Sequence, residues 1–304
     1  MELRNLELSR LFPIIAFATL LTAMTAVVMG GVVRVTGSGL GCPDWPLCHG
    51  SVIPPWELSP WLEYTHRLSA AVSGIFTFIM TIVAFKLYGR LNIYTYLVLL
   101  ASILLMIQAI LGAYTVLSEL RPIIALIHTA VGTSLIGVLT IIAAITLKPT
   151  WIQQGVSVNS QLHRFKYLMA VLGVATFILI ISGAYVTRTE GAPLACAGMP
   201  FCGISIGNMV EIQWIHMIHR SIGLAVGILM CVILVRSISM QHASIIAAIC
   251  LMTTLLAIQI GLGIGNVMLG LPMAVRAMHL VTGMMFFTVV MFLTANLWHD
   301  MPKT

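Results

Sequence analysis

Four histidines carry the first chemical signal in this 304-residue chain: His66, His128, His219 and His279. Each falls within about two helical turns of the same end of a long apolar run. His128 comes six residues after Pro122, a residue suited to a first helical position, and so lies about 9 Å into its helix. His279 follows Pro272 by seven residues, and His66 and His219 follow Trp61 and Ile212 by five and seven. The rings are therefore expected in one layer, two in each half of the chain. An ionisable ring in an apolar setting needs a partner. For any one ring, a hydrogen bond to a neighbouring helix is the plain alternative. Four at matched positions favour metal ligation, and two imidazoles facing into one bundle make an axial pair for haem iron. Arg67 and Arg220 directly follow two of these histidines. Their guanidinium forks suit carboxylates such as haem propionates, with helix-end snorkelling as the plainer reading.

Glu63 precedes His66 by three residues and shares its helix face, whereas the matching position before His219 is His216. A partly desolvated carboxylate beside a haem carries protons or stabilises developing positive charge. A first-turn acid at a helix N-terminus is the alternative. The expected division of labour follows: the first half takes a substrate haem and the second a permanent, electron-relaying one. Trp45, Trp56 and Trp61 suit either the bilayer interface or stacking on a porphyrin edge. His49 sits beside Cys48, and His163, His242 and His299 read as solvated interfacial groups.

Two cysteine pairs, Cys42/Cys48 and Cys196/Cys202, share the pattern C-x3-P-x-C. In an oxidising outer compartment, each is a staple, a redox-active pair meeting an external thiol protein, or part of a metal site. Cys231 and Cys250 read as thiols packed inside the spans.

The elements that position these groups follow from composition. With 60% hydrophobic residues, 8% charged residues and a mean hydropathy of +1.05, the chain lacks the charge to cover a water-facing surface. Eight runs, near 12–33, 62–87, 94–117, 122–147, 164–187, 212–236, 243–268 and 273–297, are long enough to cross a bilayer as helices. The first reads as a retained span, not a signal peptide. The net charge of +6 falls on the side of both termini, which predicts a multi-pass cell-membrane protein with cytoplasmic ends. Nucleic acid is not an expected partner, since the basic balance reports topology.

The chain repeats itself at an offset of 151–154 residues. The cysteine motifs match, as do His66-Arg67 with His219-Arg220, Gln108-x2-Leu111-Gly112 with Gln259-x2-Leu262-Gly263, and His128 with His279. The expected fold is all-α integral membrane: eight transmembrane helices as two parallel-repeat four-helix bundles. Residues 1–150 form the catalytic half and 151–304 the cofactor half, joined by a polar linker from Lys148 to Gln161.

Gly37-Ser38-Gly39-Leu40-Gly41-Cys42, Trp45-Pro46-Leu47-Cys48-His49-Gly50 and Glu63-Tyr64-Thr65-His66-Arg67 resemble the bacterial haem A synthase family of cytochrome oxidase assembly proteins. The resemblance spans the whole chain. It implies oxidation of the C8 methyl of haem O to a formyl group, giving haem A. It further implies that His66 and His128 flank haem O, that His219 and His279 ligate haem b, and that Glu63 serves catalysis. Haem O synthase and an electron donor are then partners, beside the lipid bilayer. The oligomeric state stays open, homo-oligomers included. Two axial histidines leave no open iron position, so either one histidine dissociates or the methyl is oxidised through the porphyrin and trapped by water. The rival readings are a non-catalytic dihaem b-type electron-transfer protein and a quinone-linked thiol oxidase; a transporter fits least, since no span is broken at mid-membrane.

Overall fold

A membrane interior offers backbone groups no water, so each apolar run must satisfy its own amides. The computed structural model describes residues 2–147, 160–198, 201–203 and 206–299, and builds eight long helices from them. They are α1 (Glu2–Val35), α2 (Leu58–Tyr88), α3 (Ile93–Leu117), α4 (Pro122–Leu147), α5 (Ser160–Val186), α6 (Glu211–Ser239), α7 (Ala243–Met268) and α8 (Met273–His299). All eight are long and apolar enough to span a bilayer. Two 3-10 turns, Ala192–Leu194 and Ile206–Asn208, precede α6. Most of the expected linker, Lys148 to Gln161, lies outside the described residues; Ser160 and Gln161 open α5.

Polar residues within the spans are mostly consumed locally. Thr19, Thr133, Thr140 and Thr176 each donate to the carbonyl four residues back, at 2.7–2.8 Å. A hydroxyl silenced in this way fits a lipid-embedded helix and carries no functional signal.

The chain divides into two compact units, Met1–Lys148 and Pro149–Thr304. In the first, α1 packs on α2 and α4, and α3 on the same two, so the helices close a ring. In the second, α5 and α7 each pack on α6 and α8. The end of each ring that carries its cysteine pair is called here the loop end.

Packing is uneven along both rings. The buried residues of α2 are Pro60 and Glu63, then nothing until Ser73. Those of α6 are His216, then nothing until Val226. On α4 burial begins at Gly132, and on α8 at Met284. Away from the loop end, each ring is filled with close-packed apolar side chains, such as Met80, Ile136, Leu139 and Ile142 in one and Met230, Ile233, Ile249 and Phe286 in the other. The core thus sits beneath the histidine level and fixes the helices there.

The turns at the loop end set histidine depth. After α3 the chain turns through Glu119 and Leu120, at φ 55 and 64, with Leu120 N–H donating to Thr115 O at 2.8 Å. After α7 it turns through Gly270 and Leu271, at φ 69 and 63, with Leu271 N–H donating to Asn266 O at 2.8 Å. These left-handed caps stop both helices at equivalent points.

Two expectations need correction. The second span begins at Leu58, four residues before the apolar run suggests, because the Trp61 segment is already helical. Cys231 and Cys250 are exposed and not packed inside. Their positions on α6 and α7 turn away from the ring, and a thiol is apolar enough to face lipid.

Candidate functional site

Measured from the observed helix starts, His66 and His219 are each eight residues in, and His128 and His279 six. At 1.5 Å per residue these are depths of about 12 Å and about 9 Å. Each unit therefore holds one deeper and one shallower ring near its loop end where a single layer was expected, because the helices of His66 and His219 start before Trp61 and Ile212.

A glycine on the facing helix receives each ring. A Cβ at Gly30 would come within 2.9 Å of the His66 ring, and one at Gly183 within 2.9 Å of the His219 ring. A Cβ at Gly112 would lie 3.4 Å from His128, and one at Gly263 3.2 Å from His279.

The ring nitrogens have defined work. His66 Nδ1 meets Ala26 O at 2.9 Å. A carbonyl only accepts, so Nδ1 carries the proton and Nε2 keeps its lone pair, as a metal ligand requires. His279 Nδ1 meets Gln259 O at 3.1 Å, with the same consequence. His219 Nδ1 pairs with Ser182 Oγ at 2.9 Å. Gln108 Nε2 lies 3.1 Å from His128 Nε2, and Gln259 Nε2 lies 3.3 Å from His279 Nε2. An amide nitrogen only donates, so both imidazole Nε2 atoms act as acceptors.

Glu63 is 3% exposed. Its Oε2 accepts the Cys42 N–H at 3.2 Å, and its Oε1 accepts Arg67 Nη2 at 2.7 Å. Arg67 also donates to the carbonyls of Cys42 (2.8 Å), Asp44 (2.8 Å) and Leu47 (2.9 Å). The guanidinium expected at propionates clasps the first cysteine loop. Arg220 behaves alike, donating to Cys196 O at 2.6 Å and Gly198 O at 2.7 Å. Cys42 is disulfide-bonded to Cys48, and Cys196 to Cys202. Asp44 accepts the N–H groups of His49 (2.6 Å) and Gly50 (2.7 Å), and the Gly50 bond foremost holds its carboxyl below the ordinary carboxylate range. Gly41 lies so close to the Ser59 carbonyl that a side chain there would strike it. His216, in the place of Glu63, bonds Ala192 O through Nδ1 at 3.0 Å. Trp56 is 88% exposed and stacks loosely on Trp61, with centroids 5.0 Å apart.

Sequence reasoning noticed Gln108, Gly112, Gln259 and Gly263 only as repeat matches. Their contact with the histidines makes them site residues. Gly30 and Gly183 were missed, because a glycine's role as a ring seat depends on the opposing helix.

The sequence profile of the cytochrome oxidase assembly protein family matches residues 13–60 and 57–291. The chain belongs to that family. Among its relatives is a protein of Exiguobacterium sibiricum named heme A synthase, 29% identical over 293 residues, which are 95% of each chain. Heme A synthase of Bacillus pumilus is 30% identical over 217 residues, 67% of this chain and 70% of that one. Heme A synthase of Bacillus mycoides is 31% identical over 211 residues, 68% and 67% of the two. For a member of this family, with its eight apolar spans, the histidine level lies within a multi-pass membrane protein.

Proposed function

We propose that this protein is a haem A synthase, an oxidoreductase that converts the C8 methyl of haem O into a formyl group. The observation that carries the reading is that each unit seats two histidine rings against glycines above a close-packed core, with Nε2 left as an acceptor on His66, His128 and His279. Among the described residues, no three His, Cys, Asp or Glu side chains gather on one point. Two imidazoles alone suit a metal that brings its remaining ligands with it, as iron in a porphyrin does. The heme A synthases among the relatives name the same chemistry.

In this reading His66 and His128 hold haem O in the unit of residues 1–150, and His219 and His279 hold haem b in that of 151–304. The two units arose by duplication, and both termini lie in the cytoplasm. Haem b, when bound, relays electrons. By the water route, converting the methyl to a formyl group with one water releases four electrons and four protons, which leave to an electron-accepting partner; by the dioxygen route, dioxygen is the oxidant and the partner is an electron donor. Glu63 supports the reaction at the first unit only. It lies one turn from His66 and accepts from Arg67 and the Cys42 amide, and as a carboxylate it would stabilise positive charge developing on a bound substrate. The apolar tail of haem O favours entry from the lipid. Haem O synthase and an electron-transfer partner complete the set, and Arg67 and Arg220 shape the entrance by holding the two cysteine loops.

The test is a pyridine haemochrome spectrum of the purified protein, with extracted haems separated by chromatography. Haem O or haem A beside haem b is expected. Haem b alone, with no conversion of added haem O, would replace this reading by a dihaem electron carrier. Labelling separates the chemical routes: formyl oxygen from water places oxidation at the porphyrin, and formyl oxygen from dioxygen requires a freed iron position.

A further inference from the structure

The contact between α3 and α4 is reciprocal. Gln108 and Gly112 stand four residues apart on α3, as His128 and Gly132 do on α4. The His128 ring packs over Gly112, while the Gln108 amide packs over Gly132, where a Cβ would come within 2.8 Å of its Nε2. Each large polar side chain thus occupies the gap left by the other helix's glycine, and the two tips meet at 3.1 Å. The nitrogen that Gln108 meets is Nε2, the atom with which His128 would hold iron. His66 differs: its one hydrogen bond is at Nδ1, and no described protein group bonds its Nε2.

This bears on a chemical difficulty. A substrate iron gripped by two histidines has no free position, and a buried ring nitrogen taken off a metal is costly unless it finds a hydrogen bond. The Gln108 amide offers that bond to His128 and to no other histidine of the first unit.

We propose that Gln108 is a positioning residue that gives His128 Nε2 a second, metal-free resting place, which makes His128 the dissociable ligand of the substrate haem and His66 the permanent one. The inference rests on the reading of the first unit as the haem O site. The second unit repeats the glutamine contact, but there the ring is also tethered through Nδ1 to the Gln259 main-chain oxygen, at 3.1 Å. That tether suits a histidine that stays on its iron.

The test uses the full-length protein in nanodiscs, loaded with haem O and reduced, with haem content measured alongside the rate of carbon monoxide binding. Gln108→Met keeps the shape and removes the donor. Gly132→Ala leaves the glutamine in place but pushes its amide off the ring. In both variants haem content should stay at the wild-type level while carbon monoxide binding slows about three- to tenfold, the value of one hydrogen bond. Gly227→Ala, whose added carbon would meet nothing within 4 Å, should leave the rate unchanged. Should Gln108→Met fail to fold, Gly132→Ala decides alone. Unchanged binding rates at full haem content would overturn the proposal, as would equal slowing by Gly227→Ala. Haem lost from the first unit on either substitution would also overturn it, since Gln108 would then merely hold the pocket. If His66→Ala costs the wild-type protein no haem, the first unit is not the haem O site, and the functional reading fails before the role of Gln108 arises.

Discussion

Arg67 Nη2 donates to Glu63 Oε1 at 2.7 Å, one helical turn apart on α2, while the same guanidinium reaches three carbonyls of the Cys42–Cys48 loop. The acid nearest the deeper histidine and the loop above it are thereby one hydrogen-bonded body. A lysine keeps the charge but has no planar fork to span four acceptors. Arg67→Lys should cost about 1.5–3 kcal/mol of stability, as a lower thermal midpoint in detergent, and should open the loop to proteolysis. An unchanged midpoint and cleavage pattern would refute the clasp.

Glu63→Gln retains an acceptor for the Cys42 amide but removes the negative charge. Haem content should hold, while conversion of haem O to haem A falls by about 10²–10³-fold, the range for losing one preorganised electrostatic contact. Chromatography of extracted haems reads both quantities. Full turnover with haem O bound would remove Glu63 from the mechanism.

The glycine seats make an opposed prediction for stability and haem. Alanine suits a helix better than glycine by about 1 kcal/mol. A Cβ at Gly183, however, would press within 2.9 Å of the His219 ring. Gly183→Ala should therefore lower haem content to less than half without lowering helix content by circular dichroism. Gly227→Ala, with nothing within 4 Å of the added carbon, should leave haem content as it was. Equal haem in both variants would show that the seat plays no part.

Asp44 predicts a pH dependence for the first loop. Its amide bonds, from Gly50 foremost, lower the folded-state pKa below the ordinary 3.8. A depressed acid stabilises the fold above its unfolded value and loses that contribution as pH falls through the folded one. Cleavage of the loop, by an acid-active protease at low pH and a serine protease at neutral pH, should thus begin only below about pH 3.8, whereas Asp44→Asn should already be cleaved at neutral pH. Equal cleavage of the two at neutral pH would show that the carboxylate does not order the loop.

Much of the site was legible in the chain. His66, His128, His219 and His279 were visible because a duplicated sequence repeats what a site needs, and lipid makes a stray imidazole conspicuous. The loop cysteines were visible through the same repeat. Arg67 and Arg220 were legible as cations beside two of these histidines, but their bonds to the cysteine loops were not. A guanidinium beside a ligand histidine suits a propionate as well as a loop carbonyl, and only the path of the chain over the helix end shows which acceptors lie in reach. Cys231 and Cys250 were misplaced for a related reason. A span that is apolar all round has no amphipathic stripe to say which face looks inward.

The sequence by itself determined eight membrane-spanning helices, the placing of the four histidines toward one end of their spans and the asymmetry of Glu63 against His216. These depend on composition, helical rise and repeat offset, which are properties of the chain read in one dimension. Only the tertiary structure decided that Gly30 and Gly183 seat the deeper rings, that Gln108 meets His128 at the nitrogen a metal would use, and that Arg67 binds the loop. Each of those is a contact between helices, and its geometry depends on how two helices are rotated against each other, which no spacing along either one records.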